Sequence, residues 1–362
     1  MTDVPAPRGR LRLAIVGSLV GRNRGLITTQ GEVLGDVLAA AGCEVVFTSS
    51  RRNRAARLGA IVATLLARRR SYETVLVQTY SGPSFLIADL ASLVAGALRK
   101  PVLFHLHGGE LPEFLSRYPR WGRRVLSRGK LLVAPSGFLS RAVAPLGLAV
   151  DVIPNVVDVR RYPYRHRAGG EPRLFWMRSF HALYRPEMAL HVLARVRETR
   201  PDATLVMAGP DKGEEPAVRR LAVELGLGGA VRFAGFLDPA GKSREGNAAE
   251  IFLNTNRVDN QPVSVLEACA MGLPVVATAV GGVPDLLTHE ESGLLVPDGD
   301  DGAMAAAVLR LLAEPALAAR LSRAGRALAE RCSPENVLPL WREAFRKADA
   351  PVSPEEPGAG RG

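Results

Sequence analysis

Two carboxylates eight positions apart, Asp259 and Glu267, bracket a turn that can be aimed at an anion-bearing substrate. Between them Asn260-Gln261-Pro262 reads as a polar loop, and Pro262 pre-sets φ for a helix over residues 263–271. The first N–H groups of that helix, at Val263 and Ser264, have no partner inside it. With the positive end of the helix dipole they favour an anion by up to ~2 kcal/mol when partly buried, which suits a diphosphate. Glu267 lies one turn further in, among Val, Leu, Ala and Cys, where an unpaired carboxylate is costly, so it requires hydroxyl or N–H partners. Gly272 and Pro274 stop the helix, and Val275-Val276-Ala277 is an apolar run suited to a buried parallel strand. Gly281 and Gly282 then mark a turn where backbone can approach a ligand closely. A second reactive group is a histidine: His105 and His107 alternate to one face after Val102-Leu103-Phe104, and only His107 adjoins Gly108 and Gly109.

Positioning such groups takes a sheet. Leu11 to Val16 is a buried-strand run ending at Gly17, followed by a loop with Gly21 and Gly25 and a helix over 26–41. Further runs at 44–47, 75–77, 102–104, 131–133 and 150–153 alternate with helical patterns, which predicts a parallel sheet wound by helices on both faces. Residues 159–172 (VRRYPYRHRAGGEP) are polar, contain Pro and Gly, have no period, and read as an interdomain linker. A second α/β unit starts at Leu174-Phe175-Trp176-Met177, with later strands at 205–208, 231–236 and 250–256 and a helical ending over 300–348. The domains expected are 1–158 and 173–348, with 349–362 a disordered tail.

Composition narrows the class. The 362 residues suit two α/β domains, each with its own core. No apolar run approaches the ~18 to 20 residues of a membrane span, and MTDVPAPRGR is too polar for a signal peptide, so the chain is expected in the cytoplasm. Cys43, Cys269 and Cys332 lack metal spacing and read as thiols in a reducing compartment. Gly-x-Gly-x-x-Gly is absent, and no acid follows the second strand to hold a dinucleotide ribose. Gly241-Lys242-Ser243 fails as a phosphate loop because position 236, where the first glycine would stand, is Phe. The net charge of +11 is one-sided: residues 1–155 hold 21 Lys and Arg against 9 Asp and Glu, whereas the remainder hold 26 against 27. Basicity confined to one domain points to an acidic surface or acceptor there.

The Asp259 to Pro274 stretch resembles the donor-site signature of family 4 glycosyltransferases, in which Glu, seven residues, Glu, Ala, a small residue, Gly and Pro-Val-Val follow one another. Here they are Asp259, Glu267, Ala268, Gly272 and Pro274-Val275-Val276, the first acid being one methylene short. Pro154-Asn155-Val156-Val157-Asp158 resembles the family's Pro-Asn-Gly-Val-Asp at the crossing between domains. The resemblance implies a GT-B fold, two Rossmann-like domains facing a central cleft, with the last helix packing back on the first domain. It implies transfer of a sugar from a UDP-, GDP- or other nucleoside diphosphate sugar to an acceptor hydroxyl, with retention and without cofactor or metal. The roles it carries over place His107 and Asp259 against the sugar and Glu267 on the ribose. Arg178, at the end of a strand, falls on the phosphate-binding arginine, with Gly209 near the base and Gly25 near the diphosphate. The family's second cation, a lysine, is Leu183 here, and Arg185 is the nearest substitute, able to chelate phosphate bidentately. A nucleotide-sugar epimerase and a non-catalytic scaffold of the same shell are the alternatives. Arg120, Arg124 and Arg128 recur every four residues on a predicted helix with Arg117, Arg123 and Trp121 nearby. That stripe is expected to lie on an anionic membrane surface at the inner face of the cell membrane, at ~1 kcal/mol per basic residue, next to a lipid-linked or glycan acceptor. No aromatic-interleaved groove for nucleic acid is present.

Overall fold

The computed structural model describes residues 11–21, 23 and 28–349. Strands β1 (Arg12–Val16), β2 (Glu44–Phe47), β3 (Thr74–Thr79), β4 (Val102–Leu106), β5 (Leu131–Ala134) and β6 (Asp151–Val152) form one parallel sheet in the order β2-β1-β3-β4-β5-β6. Strands β7 (Arg173–Met177), β8 (Thr204–Ala208), β9 (Val231–Gly235), β10 (Ile251–Asn254), β11 (Val275–Thr278) and β12 (Leu294–Val296) form a second, ordered β12-β11-β10-β7-β8-β9. Central strands such as β3 and β10 are buried along their whole length, because helices cover both faces. This is the doubly wound, two-sheet α/β architecture that the alternating apolar runs predict.

In each sheet the chain reverses its winding once. The reversal falls between β1 and β3 in the first sheet and between β7 and β10 in the second. Open α/β sheets bind ligands in the crevice outside the carboxyl ends of strands at such a point. Gly17 and Gln78–Tyr80 stand there in the first sheet, and Arg178 and Asn256–Asp259 in the second.

Three local features matter. The helix expected over 26–41 is described over Gln30–Ala40, where Thr29 and Glu32 form a reciprocal capping box; Gly25 lies outside the described residues. The helix Pro334–Asp349 lies on the first sheet, where Val337, Trp341 and Phe345 join the core of Leu13, Ile15, Leu103 and Val133. Residues 159–172, expected as a linker, are instead bound to the second domain. Tyr162 is buried, and Arg167, only 1% exposed, donates to the carbonyls of Arg165, Gly246, Ala249 and Met271. Those last three carbonyls end the helices Pro239–Ala248 and Val263–Ala270, so the guanidinium sits at the negative poles of two helix dipoles. Polarity without period hid this, because the partners are backbone groups 79 to 104 positions away.

Candidate active site

The second-domain half of the site is built from strand ends. Arg178 follows β7; its backbone N–H donates to the carbonyl of Ala208 at 3.0 Å, and Gly209 must be glycine because a Cβ there would collide with the Arg178 carbonyl. The guanidinium pairs with Asp259 and lies over the Tyr184 ring, 4.0 Å from its centroid. Burial pulls its pKa down, yet Asp259, Tyr184 and Glu267 leave it raised above the ordinary arginine value, so it stays charged. Asp259 also accepts from Asn256 Nδ2 at 2.7 Å and from the Asn260 N–H at 2.8 Å, which fixes its carboxylate.

The helix after the loop runs Val263–Ala270, with Pro262 as an N-cap that offers no side-chain acceptor. Val265 and Leu266 donate to the Pro262 carbonyl, so the N–H groups of Val263 and Ser264 are the two left over. Ser264 Oγ is buried with no hydrogen-bond partner. Two backbone donors and one hydroxyl on adjacent residues are thus left without a partner among the described residues. Glu267 is 7% exposed and is held by Tyr162 Oη at 2.7 Å and by Lys242 Nζ at 2.7 and 2.9 Å. Burial first, then the Glu267 carboxylate, push the Tyr162 phenol well above its usual range.

The first-domain half faces this across the cleft. His107, just beyond β4, bonds through Nε2 to Gln78 Oε1 at 2.7 Å and stacks on Tyr80 with ring centroids 5.0 Å apart. Burial pulls its pKa to about 3, so the imidazole is neutral at working pH. Since Gln78 Oε1 can only accept, His107 carries its proton on Nε2. Gln78 is fixed in turn: a Cβ on Gly17 would lie 2.8 Å from its Cβ, and one on Gly31 2.7 Å from its Cγ. His105 lies behind, 4.0 Å from His107 and edge-on to Trp341, with neither ring nitrogen bonded; burial and then His107 drive its pKa far down.

The halves meet at the acidic loop. Gly109 seats against Val258 and Asp259, where a Cβ would come within 2.9 to 3.1 Å. Asn155 donates its N–H to Gln261 Oε1 at 2.6 Å and its Nδ2 to the Gln261 carbonyl at 3.0 Å, while Ser136 bonds Asn260. Gly281 and Gly282 serve the loop and not a ligand: any Cβ on them would collide with the carbonyls of Asp259 and Asn260.

The structure thus brings together Arg178, Asp259, Glu267, Val263, Ser264 and, across the cleft, His107, with Gly209 backing Arg178. It does not bring Arg185. That residue has a left-handed backbone (φ 42°) between a short turn and the helix Pro186–Thr199, and its side chain runs to Asp298 at 2.5 Å. The cation that reaches the cluster is Lys242. The phosphate-loop pattern fails at Phe236, and Lys242 is placed by Asp238, whose side chain caps the helix Pro239–Ala248 by accepting from the Gly241 N–H at 2.7 Å. Tyr162, Asn256 and Gln78 were also missed, their partners lying in other segments.

A two-domain α/β protein with a cationic strand end, an uncapped helix N-terminus and a neutral histidine across the cleft has the form of a GT-B glycosyltransferase. Residues 44–161 match the model of Glycosyltransferase Family 4, and residues 171–314 that of Glycosyl transferases group 1. The chain belongs to the family 4 glycosyltransferases. It is 31% identical over 267 residues to D-inositol 3-phosphate glycosyltransferase of Saccharomonospora viridis, a match covering 66% of this chain and 61% of that protein. Phosphatidyl-myo-inositol mannosyltransferase of Mycobacterium leprae is 31% identical over 212 residues, covering 57% of this chain and 54% of that one. The matched region therefore spans about 60% of the first relative's length. Among solved structures, sucrose-phosphate synthase from Thermosynechococcus elongatus superposes with a TM-score of 0.77 at 20% identity, covering 93% of this chain and 99% of that one. Anabaena HepE in complex with UDP and glucose superposes at 0.73 and 17% identity, covering 92% and 98%. These last two establish the fold.

Proposed function

We propose that this protein transfers a sugar from a nucleoside diphosphate sugar to an acceptor hydroxyl with retention at the anomeric carbon. The observation that carries this is the set of unused donors at the helix N-terminus, Val263 N–H, Ser264 N–H and the orphaned Ser264 Oγ, beside Arg178 and one turn from Glu267. Diphosphate oxygens satisfy all three, and Arg178 and Lys242 supply the positive charge, so the reaction proceeds without a metal. Glu267 exchanges Tyr162 or Lys242 for ribose hydroxyls, and Asp259 and His107 meet the sugar. As the bond from the anomeric carbon to the phosphate oxygen breaks, the acceptor oxygen bonds to the same face of that carbon and its proton passes to the departing phosphate oxygen. Neutral His107, with a pKa of about 3, is too weak a base for that proton and acts by hydrogen bonding and position. HepE, which shares the fold, has been solved with UDP, and UDP-sugars are the first donors to try.

The test is a panel of nucleotide sugars with glycan, polyol and lipid acceptors, with and without a chelator, followed by NMR of the anomeric coupling. Product of the donor's own anomeric configuration, formed equally in chelator, supports the proposal; inverted product removes the retaining mechanism. Isomerised nucleotide sugar without acceptor indicates an epimerase, and nucleotide binding without turnover a scaffold.

The site also bears on location. Among the described residues no single helix is long and apolar enough to cross a membrane. The basic stripe expected from Arg120, Arg124 and Arg128, with Arg117 and Arg123 nearby, is partly spent: Arg124 and Arg128 pair with Asp89, and Trp121 donates Nε1–H to Asp89 at 2.7 Å while its ring packs edge-on to Phe85. The apolar element beside it is the helix Phe85–Ala97, with Leu86 48% and Leu93 51% exposed, flanked by the helix 54–67, which carries exposed Leu66 and is followed by exposed Arg69, and by the helix 119–126, which carries exposed Arg120 and Arg123. An anionic bilayer matches leucines rimmed by arginine. Sedimentation with phosphatidylglycerol vesicles that is lost in Leu86→Glu/Leu93→Glu supports this; no sedimentation of wild type at low salt rejects it.

A further inference from the structure

Gln78 is a polar side chain on an apolar face. It lies near the end of β3, two residues after Leu76, and side chains two apart on a strand point the same way. Leu76 shares its core with Leu13, Ile15, Leu103 and Trp341, so a leucine or methionine at 78 would continue that face without burying an amide. The glutamine is nonetheless only 2% exposed and is held from two sides, by Gly17 after β1 and by Gly31 on the helix Gln30–Ala40. A Cβ on Gly17 would lie 2.8 Å from its Cβ, and one on Gly31 2.7 Å from its Cγ. Its side chain makes one hydrogen bond, to His107 at 2.7 Å, while its Nε2 is buried without a partner. One bond for a buried carboxamide is a poor return in stability, and it directs attention to what that bond does to His107.

The two ring nitrogens of His107 have different surroundings. Nε2 meets Gln78 Oε1, an oxygen that only accepts, and therefore carries the ring proton. Nδ1 has no partner among the described residues and is not closed off by burial as both nitrogens of His105 are, so it is the nitrogen that reaches the cleft. The ring is also fixed in direction: the His107 N–H donates to the Thr79 carbonyl at 2.8 Å, and the imidazole stacks on Tyr80. Gly109, two residues on, seats against Asp259, which pairs with Arg178, so this edge faces the cationic strand end of the second domain. A neutral imidazole with its proton on Nε2 is a dipole whose negative end is the Nδ1 lone pair.

We infer that Gln78 is a positioning residue of the transfer: by fixing the ring proton on Nε2 it turns the negative end of the His107 dipole, the Nδ1 lone pair, toward the sugar. This rests on the sugar-transfer reading, which supplies the charge that the dipole meets. As the bond from the anomeric carbon to the phosphate oxygen stretches, the sugar ring gains oxocarbenium character. A fixed negative pole beside it lowers the barrier, and an N–H in the same place would raise it. The lone pair also sets a specificity, because it accepts from a sugar hydroxyl and repels a group that can only accept, such as fluorine. Neutrality matters as much as the tautomer, since an imidazolium has an N–H at both ends. Burial keeps the ring neutral, and the titratable groups around it are His105 behind, Tyr80 beneath and Asp259 across Gly109.

The test begins with the full chain carrying isotope-labelled histidine, without nucleotide. Ring NMR reads the tautomer of His107, whose signal is assigned by its loss in His107→Gln, and the wild-type spectrum depends on no variant folding. A proton on Nε2 is expected; a proton on Nδ1 overturns the inference. In Gln78→Met the proton should move to Nδ1, where water accepts it, and kcat should fall by roughly tenfold or more with UDP affinity unchanged. Gln78→Glu keeps the acceptor oxygen and should keep the Nε2–H tautomer. Its carboxylate favours the charged ring and raises the His107 pKa, so its kcat should match wild type in alkali and show an acidic limb that wild type lacks. Fluorine is then put in place of each hydroxyl of the UDP-sugar that wild type turns over: at one position wild type should lose at least tenfold in affinity, and Gln78→Met should not. Wild-type kcat in a folded Gln78→Met, or equal losses of kcat, UDP affinity and thermal midpoint in Met and Glu variants alike, marks Gln78 as packing and overturns the inference. Absence of turnover of any nucleotide sugar by wild type is a failure of the transfer reading and removes the sugar role with it; the ring spectrum, read without donor, tells that outcome from a wrong tautomer.

Discussion

The two cleft edges share a topology and differ in how their charges are balanced. In the second domain each charged group at the mouth already has a partner, Arg178 with Asp259 and Lys242 with Glu267. In the first domain the corresponding edge carries a neutral histidine just beyond β4. The paired charges of the second domain fix one another's geometry, whereas His107 is held by the neutral partners Gln78 and Tyr80.

Breaking the donor side should have the largest effect. Arg178→Ala is expected to lower kcat/KM by ~10³, as for loss of a group that stabilises developing charge, and to destabilise the fold by ~1.5 to 3 kcal/mol by leaving half-buried Asp259 with only its Asn256 and Asn260 hydrogen bonds. Chemical denaturation and steady-state kinetics of Arg178→Ala and Arg178→Ala/Asp259→Ala separate the two losses: the double variant should regain stability and not activity. Full activity in a folded Arg178→Ala would remove it from the reaction.

On the acceptor side, His107→Ala should reduce kcat by ~10² with UDP affinity little changed, because its contact is made at the reacting centre. Equal loss of UDP binding would instead place His107 in the donor site and erase the division between edges.

Lys242→Met and Glu267→Ala sharpen the exchange of partners. Each should weaken UDP binding by roughly tenfold, in line with ~1.5 kcal/mol for a charged hydrogen bond. Calorimetry of the double variant should show less than the sum, since the two share one interaction. Arg185→Ala, by contrast, should leave UDP affinity unchanged, and a tenfold loss there would restore it as the second cation.

The last effect concerns acid. His107 has its pKa depressed from an ordinary 6.5 to about 3, so the unfolded chain takes up a proton first as pH falls. The contribution of His107 to stability should thus be constant above pH 6.5 and fall below it by roughly 1.4 kcal/mol per pH unit toward pH 3, with buried His105, whose pKa is also driven down, adding to the slope. Thermal melts of wild type and His107→Gln across that range test this: the variant should show the shallower slope, and parallel slopes would assign the acid sensitivity elsewhere.

Much of this was legible without coordinates. Apolar runs alternating with helical patterns placed eleven of the twelve parallel strands, all but β12 (Leu294–Val296), because a central strand covered on both faces must be apolar throughout. The spacing from Asp259 to Glu267 across Pro262 located the helix N-terminus, since a helix start, its stop at Gly272 and the strand after it are all set by residues within one local stretch. What the sequence could not decide is who stands next to whom across distance. Asp89 neutralises arginines 35 and 39 positions later, Tyr162 reaches Glu267 across 105, and Lys242 rather than Arg185 arrives at the cluster because a left-handed turn sends Arg185 to Asp298. Charge pairing and burial depend on the packing of separate elements, and a chain records its local conformational preferences in order while its long-range partners are fixed only when the two sheets close on each other.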